Sequence, residues 1–202
     1  MAAQASDVVH YEAERYSLAG VCGTGLFDPG DYPLMPRPFS TANWRGFRCR
    51  YDVHGVEWFL DALFIGLDKE ETAQAERGEG PFLLGVPPLR VDRFEGVVYE
   101  SIREPIRFTG GLLLGRDFMQ ELYVHMGIHP AWKFKHVIEL LIKYGRVHQA
   151  RDHSQAAEYF RRSLQPGDLR RGISIDDRGR MEEWIRHTFS LEYRRDQLFS
   201  LP

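Results

Sequence analysis

Histidines are the side chains in this sequence best placed to do chemistry. His125, His129, His136, His148 and His153 all fall between Tyr123 and His153, together with Asp152, in a chain with eight histidines. Imidazole changes charge near neutral pH and ligates metals, so the first chemistry to consider is metal binding or proton transfer. His125 and His129 stand four apart and would share one face of a helix, as a zinc site can require. Gly127 and Pro130 argue against that helix. No His-Glu-x-x-His pattern or cysteine pair completes a ligand set, so neither a metal nor a cofactor is expected. Asp152 and His153 are neighbours and on a strand would point to opposite faces, which removes them as a dyad. Asp117 and Glu121 would form a carboxylate pair only on a helix and read as solvated charges.

Other reactive groups are equally isolated. Cys22 sits among glycines in GVCGTG, but no neighbouring base is visible to activate its thiol. The same stretch lacks Gly-Lys-Ser/Thr and is not G-x-G-x-x-G, so neither nucleotide-binding device is present. The side chains that could line a ligand pocket are Arg45, Tyr123, His125 and His129, which lie beside glycine-rich turns where backbone can approach a ligand. Arg45, Arg48 and Arg50 also alternate with Trp44, Phe47 and Tyr51, a pattern on which single-stranded nucleic acid could stack. Against this, Lys and Arg number 26 and Asp and Glu 29, a formal net charge of -3 that offers no overall attraction to phosphate. No residue can be assigned a catalytic role, and whether the chain is an enzyme stays open.

The elements that would position these groups are mostly strands. Between residues 43 and 66 two aromatic-rich alternating runs flank His54-Gly55, the signature of a β-hairpin. A second hairpin is expected over 134–153, turning at Tyr144-Gly145. FTGGLLLGRDF at 108–118 reads as a strand with Leu112, Leu113 and Leu114 buried on both faces. Residues 82–108 supply short strand pieces broken by prolines, and 68–81 a charged excursion or short polar helix. Residues 1–20 suggest one short helix and 20–39 an ordered loop. Ser154 is a suitable N-cap for a helix SQAAEYFRRSL, with Ala157, Phe160 and Leu164 inward. From Arg180 onward Met181, Trp184, Ile185 and Leu191 fall on one helical stripe. That stripe either packs on the chain's own sheet or engages another protein, which makes these four the partner-binding candidates.

The composition, 43% hydrophobic and 27% charged, is that of an ordinary folded chain. Its 202 residues suit one α+β domain over 1–165 with a helical extension over 166–202. The fold class expected is α+β: a predominantly antiparallel β-sheet, barrel-like, with a few flanking helices and a C-terminal helix. Two cysteines, no signal-peptide pattern and no membrane-length apolar run point to the cytoplasm and to no membrane.

STANWRGF at 40–47, FTGGLLLGRDF at 108–118 and ELYVHMGIHPAWKF at 121–134 resemble a family of small bacterial proteins with a Ser-Thr-x-x-x-Arg-Gly-aromatic start and a Tyr-Val-His-Met-Gly core. The resemblance spans about residues 40–154. It implies a bacterial source and strands over 134–153, and it carries no activity and no catalytic residues. The function expected is a non-enzymatic intracellular binding or interaction module, accessory, immunity-like or regulatory, engaging a protein through a sheet edge or the C-terminal helix. A homo-oligomer is compatible with this. The alternative is a small enzyme or ligand-binding protein with a pocket around His125.

Overall fold

The computed structural model describes residues 3–125, 127–163 and 191–198. At the N-terminus Val9, Tyr16 and Leu18 join the core cluster, while His10, Arg15 and Ser17 beside them are less buried, a period of two that builds strands. Glu12 and Ala13 both take positive φ (51° and 62°), the geometry of a tight hairpin turn. The first 20 residues are therefore no helix. They form β1 (Val8–Tyr11) and most of β2 (Glu14–Thr24). β2 also runs on through Gly20 and Gly23, which replaces the first part of the expected loop with strand.

The two predicted hairpins are present. β3 (Phe47–His54) pairs with β4 (Glu57–Ile65), and β9 (Phe134–Lys143) pairs with β10 (Arg146–Asp152) through Tyr144-Gly145, both at positive φ. Between them lie β5 (Arg90–Asp92), β6 (Gly96–Tyr99), the two-residue β7 (Glu104–Pro105) and β8 (Thr109–Phe118). The strand order β10-β9-β8-β2-β1-β3-β4 closes on itself, because Arg146 of β10 bridges Glu57 of β4. Val147 N–H to the Val56 carbonyl at 2.7 Å and Trp58 N–H to the Gly145 carbonyl at 2.9 Å complete that seam. The result is a seven-stranded mixed barrel in an α+β chain, antiparallel except where β1 runs parallel to β3. Closure removes the unpaired edges that an open sheet of this size would carry.

The barrel interior is solid. Leu18, Cys49, Tyr51, Trp58, Leu60, Leu63, Ile65, Leu112, Leu114 and Leu140 are all at most 1% exposed and form one cluster. Leu113 faces outward yet is only 4% exposed, so the Leu112–Leu114 triplet is buried on both faces as its composition demands. What covers it is a second layer: Ala19, Leu113 and Val137 on the barrel wall meet Ala131 and Ala157, with Trp132, Tyr193 and Leu198 packed around them. Ala157 and Phe160 are the buried face of helix α2 (Ser154–Ser163). Its N-terminus differs from expectation. Asp152 accepts the Ser154 N–H at 2.7 Å, while the Ser154 hydroxyl accepts the Val137 N–H at 3.0 Å, tying the helix to β9. The Ser154 side chain, and after it the Ser154 backbone N–H, hydrogen-bonds the Asp152 carboxyl and holds it below its usual range.

Helix α1 (Lys69–Glu76) begins with a capping box between Asp68 and Glu71 and lies on the excursion between β4 and β5. No helix among the described residues is long and apolar enough to cross a membrane. The predicted C-terminal helical stripe lies outside the described residues except for Leu191. Leu191 lies in no helix and is partly buried against the barrel core, where its carbonyl accepts the Val21 N–H.

Candidate functional site

Asp117 takes φ 58°, which lets β8 turn away from the barrel at Phe118. The chain returns to β9 through two single-turn 3-10 segments, Gln120–Leu122 and Ala131–Lys133. Two backbone bonds tether this connection: Met119 N–H to the Lys133 carbonyl at 3.0 Å, and Gln4 N–H to the Gly127 carbonyl at 2.7 Å. Within it the Phe118 ring stands 4.5 Å from that of His129, and the Tyr123 ring 5.2 Å from those of both His125 and His129. Three of the four ligand-pocket candidates thus come together. Tyr123 and His125 are exposed, and His129 lies partly buried between aromatic rings. Met181, Trp184 and Ile185 lie outside the described residues.

The fourth, Arg45, is occupied elsewhere. Its guanidinium is bonded to Asp7, donates from Nε to the Phe47 carbonyl at 3.2 Å and lies 4.0 Å over the Phe47 ring. Asp7 is only 2% exposed and also accepts the Cys49 N–H at 2.7 Å. This is a structural clamp between the N-terminal strand and β3. Burial pushes the adjacent Cys49 thiol well above its ordinary value, with Asp7 adding to it, so that cysteine stays protonated.

His129 is the unusual member of the cluster. Both ring nitrogens are shielded from solvent and lack a hydrogen-bond partner among the described residues. Burial, reinforced by the charge on Lys133, lowers its pKa to about 4, so the ring is neutral at physiological pH. Lys133 is itself 7% exposed, with its ammonium 5.3 Å from the Trp132 ring, and no carboxylate pairs with it among the described residues. Burial lowers its pKa to about 8. Sequence reasoning passed over Lys133. The available signal was its position between Trp132 and Phe134 in a run of buried residues. The cluster offers a neutral imidazole and a weakly basic amine, but no hydrogen-bonded chain of nucleophile, base and orienting group.

The low pKa of His129 has a consequence for stability. A group whose pKa falls on folding favours the folded state fully above its unfolded value of about 6.5, and that contribution is lost as pH drops toward about 4. Thermal melts across this window should show a steep loss of stability in the wild type and a shallower one in His129→Phe. Parallel acid limbs in the two proteins would contradict the neutral, shielded state of His129.

The described residues line two clefts, one beside this connection and one elsewhere on the barrel. One, of about 500 Å³, is lined by Met119, Leu122, Lys135, Glu158, Arg161 and Arg162. Arg161 is held by the Trp132 and Phe134 carbonyls at 2.7 and 2.8 Å, and Arg162 is paired with Glu158. The other, of about 300 Å³, is lined by Asp52, His54, Glu57, Phe59, Asp61 and Arg103 on the outer face of β3 and β4. Its carboxylates are already engaged. Arg50 donates twice to Asp61, at 2.6 and 2.8 Å, and His10 Nδ1 lies 2.8 Å from Asp52. Among the described residues no group of three His, Cys, Asp or Glu side chains is arranged to hold a metal ion.

Comparison with protein-family models, curated proteins and solved structures yields no match. The motif resemblance to small bacterial proteins thus gains no support from these comparisons.

Proposed function

We propose that the chain is a non-enzymatic interaction module that docks another protein on the arm formed by β5 and β6. The observation that carries this is a concentration of exposed apolar side chains on one excursion, residues 82–94. Phe82 is 59% exposed, Leu84 39%, Leu89 61% and Phe94 77%. Large apolar groups left in water together mark a protein-binding surface when they form one patch. β5, in their midst, has β6 as its only strand partner among the described residues, so backbone hydrogen-bonding groups lie beside the apolar ones. The packed barrel interior and the absence of a linked catalytic constellation among the described residues favour the same conclusion.

A photo-crosslinking amino acid placed at position 94 should capture one discrete protein in the producing cell, and the same probe at the equally exposed Tyr159 should not. Phe82→Ser with Phe94→Ser should abolish the capture made from a neighbouring probe at position 89, while changing stability by no more than about 0.5 kcal/mol. Identical adducts at positions 94 and 159 would refute the docking role.

A second function, binding of a small ligand near Tyr123, His125 and His129, is favoured by one specific observation: the two unpartnered ring nitrogens of His129. Buried polar atoms without partners are rare, and a bound group is one way of satisfying them.

A further inference from the structure

The groove takes residues 191–194 as an extended segment, and Arg195 opens the 3-10 turn Arg195–Gln197 that follows. β2 runs on past the end of β1, leaving the edge that faces away from β8 open beyond Leu18. At Val21 that edge is met by the C-terminal segment: the Val21 N–H donates to the Leu191 carbonyl at 2.5 Å, and the Tyr193 N–H donates to the Val21 carbonyl at 3.1 Å. Two bonds around one residue set both the direction and the register of the incoming strand.

That register lays the Tyr193 ring on Gly20 and Gly111. A Cβ on Gly20 would stand 3.0 Å from Tyr193 Cδ1, and one on Gly111 only 2.2 Å from the Tyr193 hydroxyl oxygen. Neither glycine has positive φ, so backbone freedom does not account for them. The missing side chains do, because they make the seat for the ring. At its end is Glu139, 0% exposed although it sits on the outward face of β9. Its carboxylate accepts from the Tyr193 hydroxyl at 2.9 Å and from Arg195 Nε at 2.8 Å, with His153 Nε2 at 3.3 Å. Burial pushes the Glu139 pKa up, but the hydrogen bonds from Arg195, Tyr193 and His153 together outweigh it and hold it below the usual range. A buried carboxylate that reads a tyrosine hydroxyl and an arginine two residues on is a recognition device, since a segment lacking either leaves charge or polar atoms unpaired.

We propose that this groove is a peptide-recognition site for a Leu-x-Tyr-x-Arg segment, filled here by the chain's own residues 191–195 and able to take the same segment from a second copy of the chain. Every specific bond is made by the segment itself, and 27 residues separate Ser163 from Leu191, so no short loop dictates which copy supplies it. Occupancy from the same copy has the advantage of tethering, an effective concentration on the order of millimolar. Exchange between intact copies therefore emerges as the free chain approaches that concentration.

Two full-length variants test this. Glu139→Gln keeps the segment and impairs the groove, whereas Tyr193→Ala with Arg195→Ala keeps the groove and disarms the segment. With both variants folded by circular dichroism, the second should bind a fluorescent synthetic peptide of residues 189–198 saturably. The same chain carrying Glu139→Gln as well should bind it about tenfold more weakly or worse. Wild type should also bind more weakly, because its own segment competes. Failure of the peptide to bind the folded, disarmed chain overturns the proposal. Should the disarmed chain not fold, wild type irradiated with excess peptide bearing a benzophenone at the tyrosine position decides. Adducts on residues 20–22, 111 or 139 support the groove, and adducts confined to other residues, or none, overturn it. The second-copy occupant is tested with wild type at millimolar concentration, where sedimentation should reveal a dimer that Gly111→Val chains, their seat filled, do not form. A strictly monomeric wild type there refutes that occupant.

Discussion

Replacing Trp58 with alanine is expected to lower the free energy of unfolding by about 4 kcal/mol, read as a shift of the denaturant midpoint without a change in slope. Trp58 is 1% exposed and stacks on Tyr51 with ring centroids 4.7 Å apart inside the barrel. Removing the indole takes away its transfer energy and leaves a cavity whose walls belong to a closed cylinder that cannot easily collapse. Its backbone also forms part of the seam: its N–H meets the Gly145 carbonyl and its carbonyl accepts the Ile106 N–H at 3.1 Å. Trp58→Phe should cost much less, because it keeps most of the volume and removes an indole N–H that has no partner among the described residues. If alanine cost less than about 1 kcal/mol, the interior would be a tolerant cavity and not a core.

The second large effect is expected at Asp7. Asp7→Ala leaves the Arg45 guanidinium and the Cys49 N–H without their shared acceptor and should cost about 3 kcal/mol, the scale for breaking a buried ion pair from one side. Asp7→Asn retains an acceptor for the Cys49 N–H and should lie between alanine and wild type. Arg45→Ala leaves the buried Asp7 carboxylate with only the Cys49 N–H and should cost at least as much as Asp7→Ala. A clearly smaller cost for Arg45→Ala would mean that the clamp acts mainly through the Asp7–Cys49 bond. Equilibrium urea unfolding of the three variants gives the comparison directly.

Much of the fold was legible in the residues because local chemistry and tertiary position agree there. Tyr144-Gly145 is a turn in any context that tolerates two positive φ values, and Leu112–Leu114 cannot be satisfied unless both faces are covered. Residues 1–20 misled for the opposite reason. Their apolar residues are sparse enough to fit two periodicities, and pairing of Val8–His10 with Arg50–Asp52 selected the strand. Of the site candidates, Tyr123, His125 and His129 converge, whereas Arg45 was drawn away by Asp7, a residue nothing in the local sequence marks as buried. Glu139 was equally hidden, since a lone glutamate in an alternating strand reads as solvent-facing until a covering segment buries it.

The sequence by itself determined the strand-rich α+β character, the two long hairpins and the grouping of histidines after β8, because each follows from the periodicity and turn chemistry of adjacent residues. Tertiary structure alone decided that the sheet closes into a barrel, that its interior is full, and that Gly20, Gly111 and Glu139 form a seat for residues 191–195. Those features join residues far apart in the chain, and their energies exist only once the strands have set the distances between them.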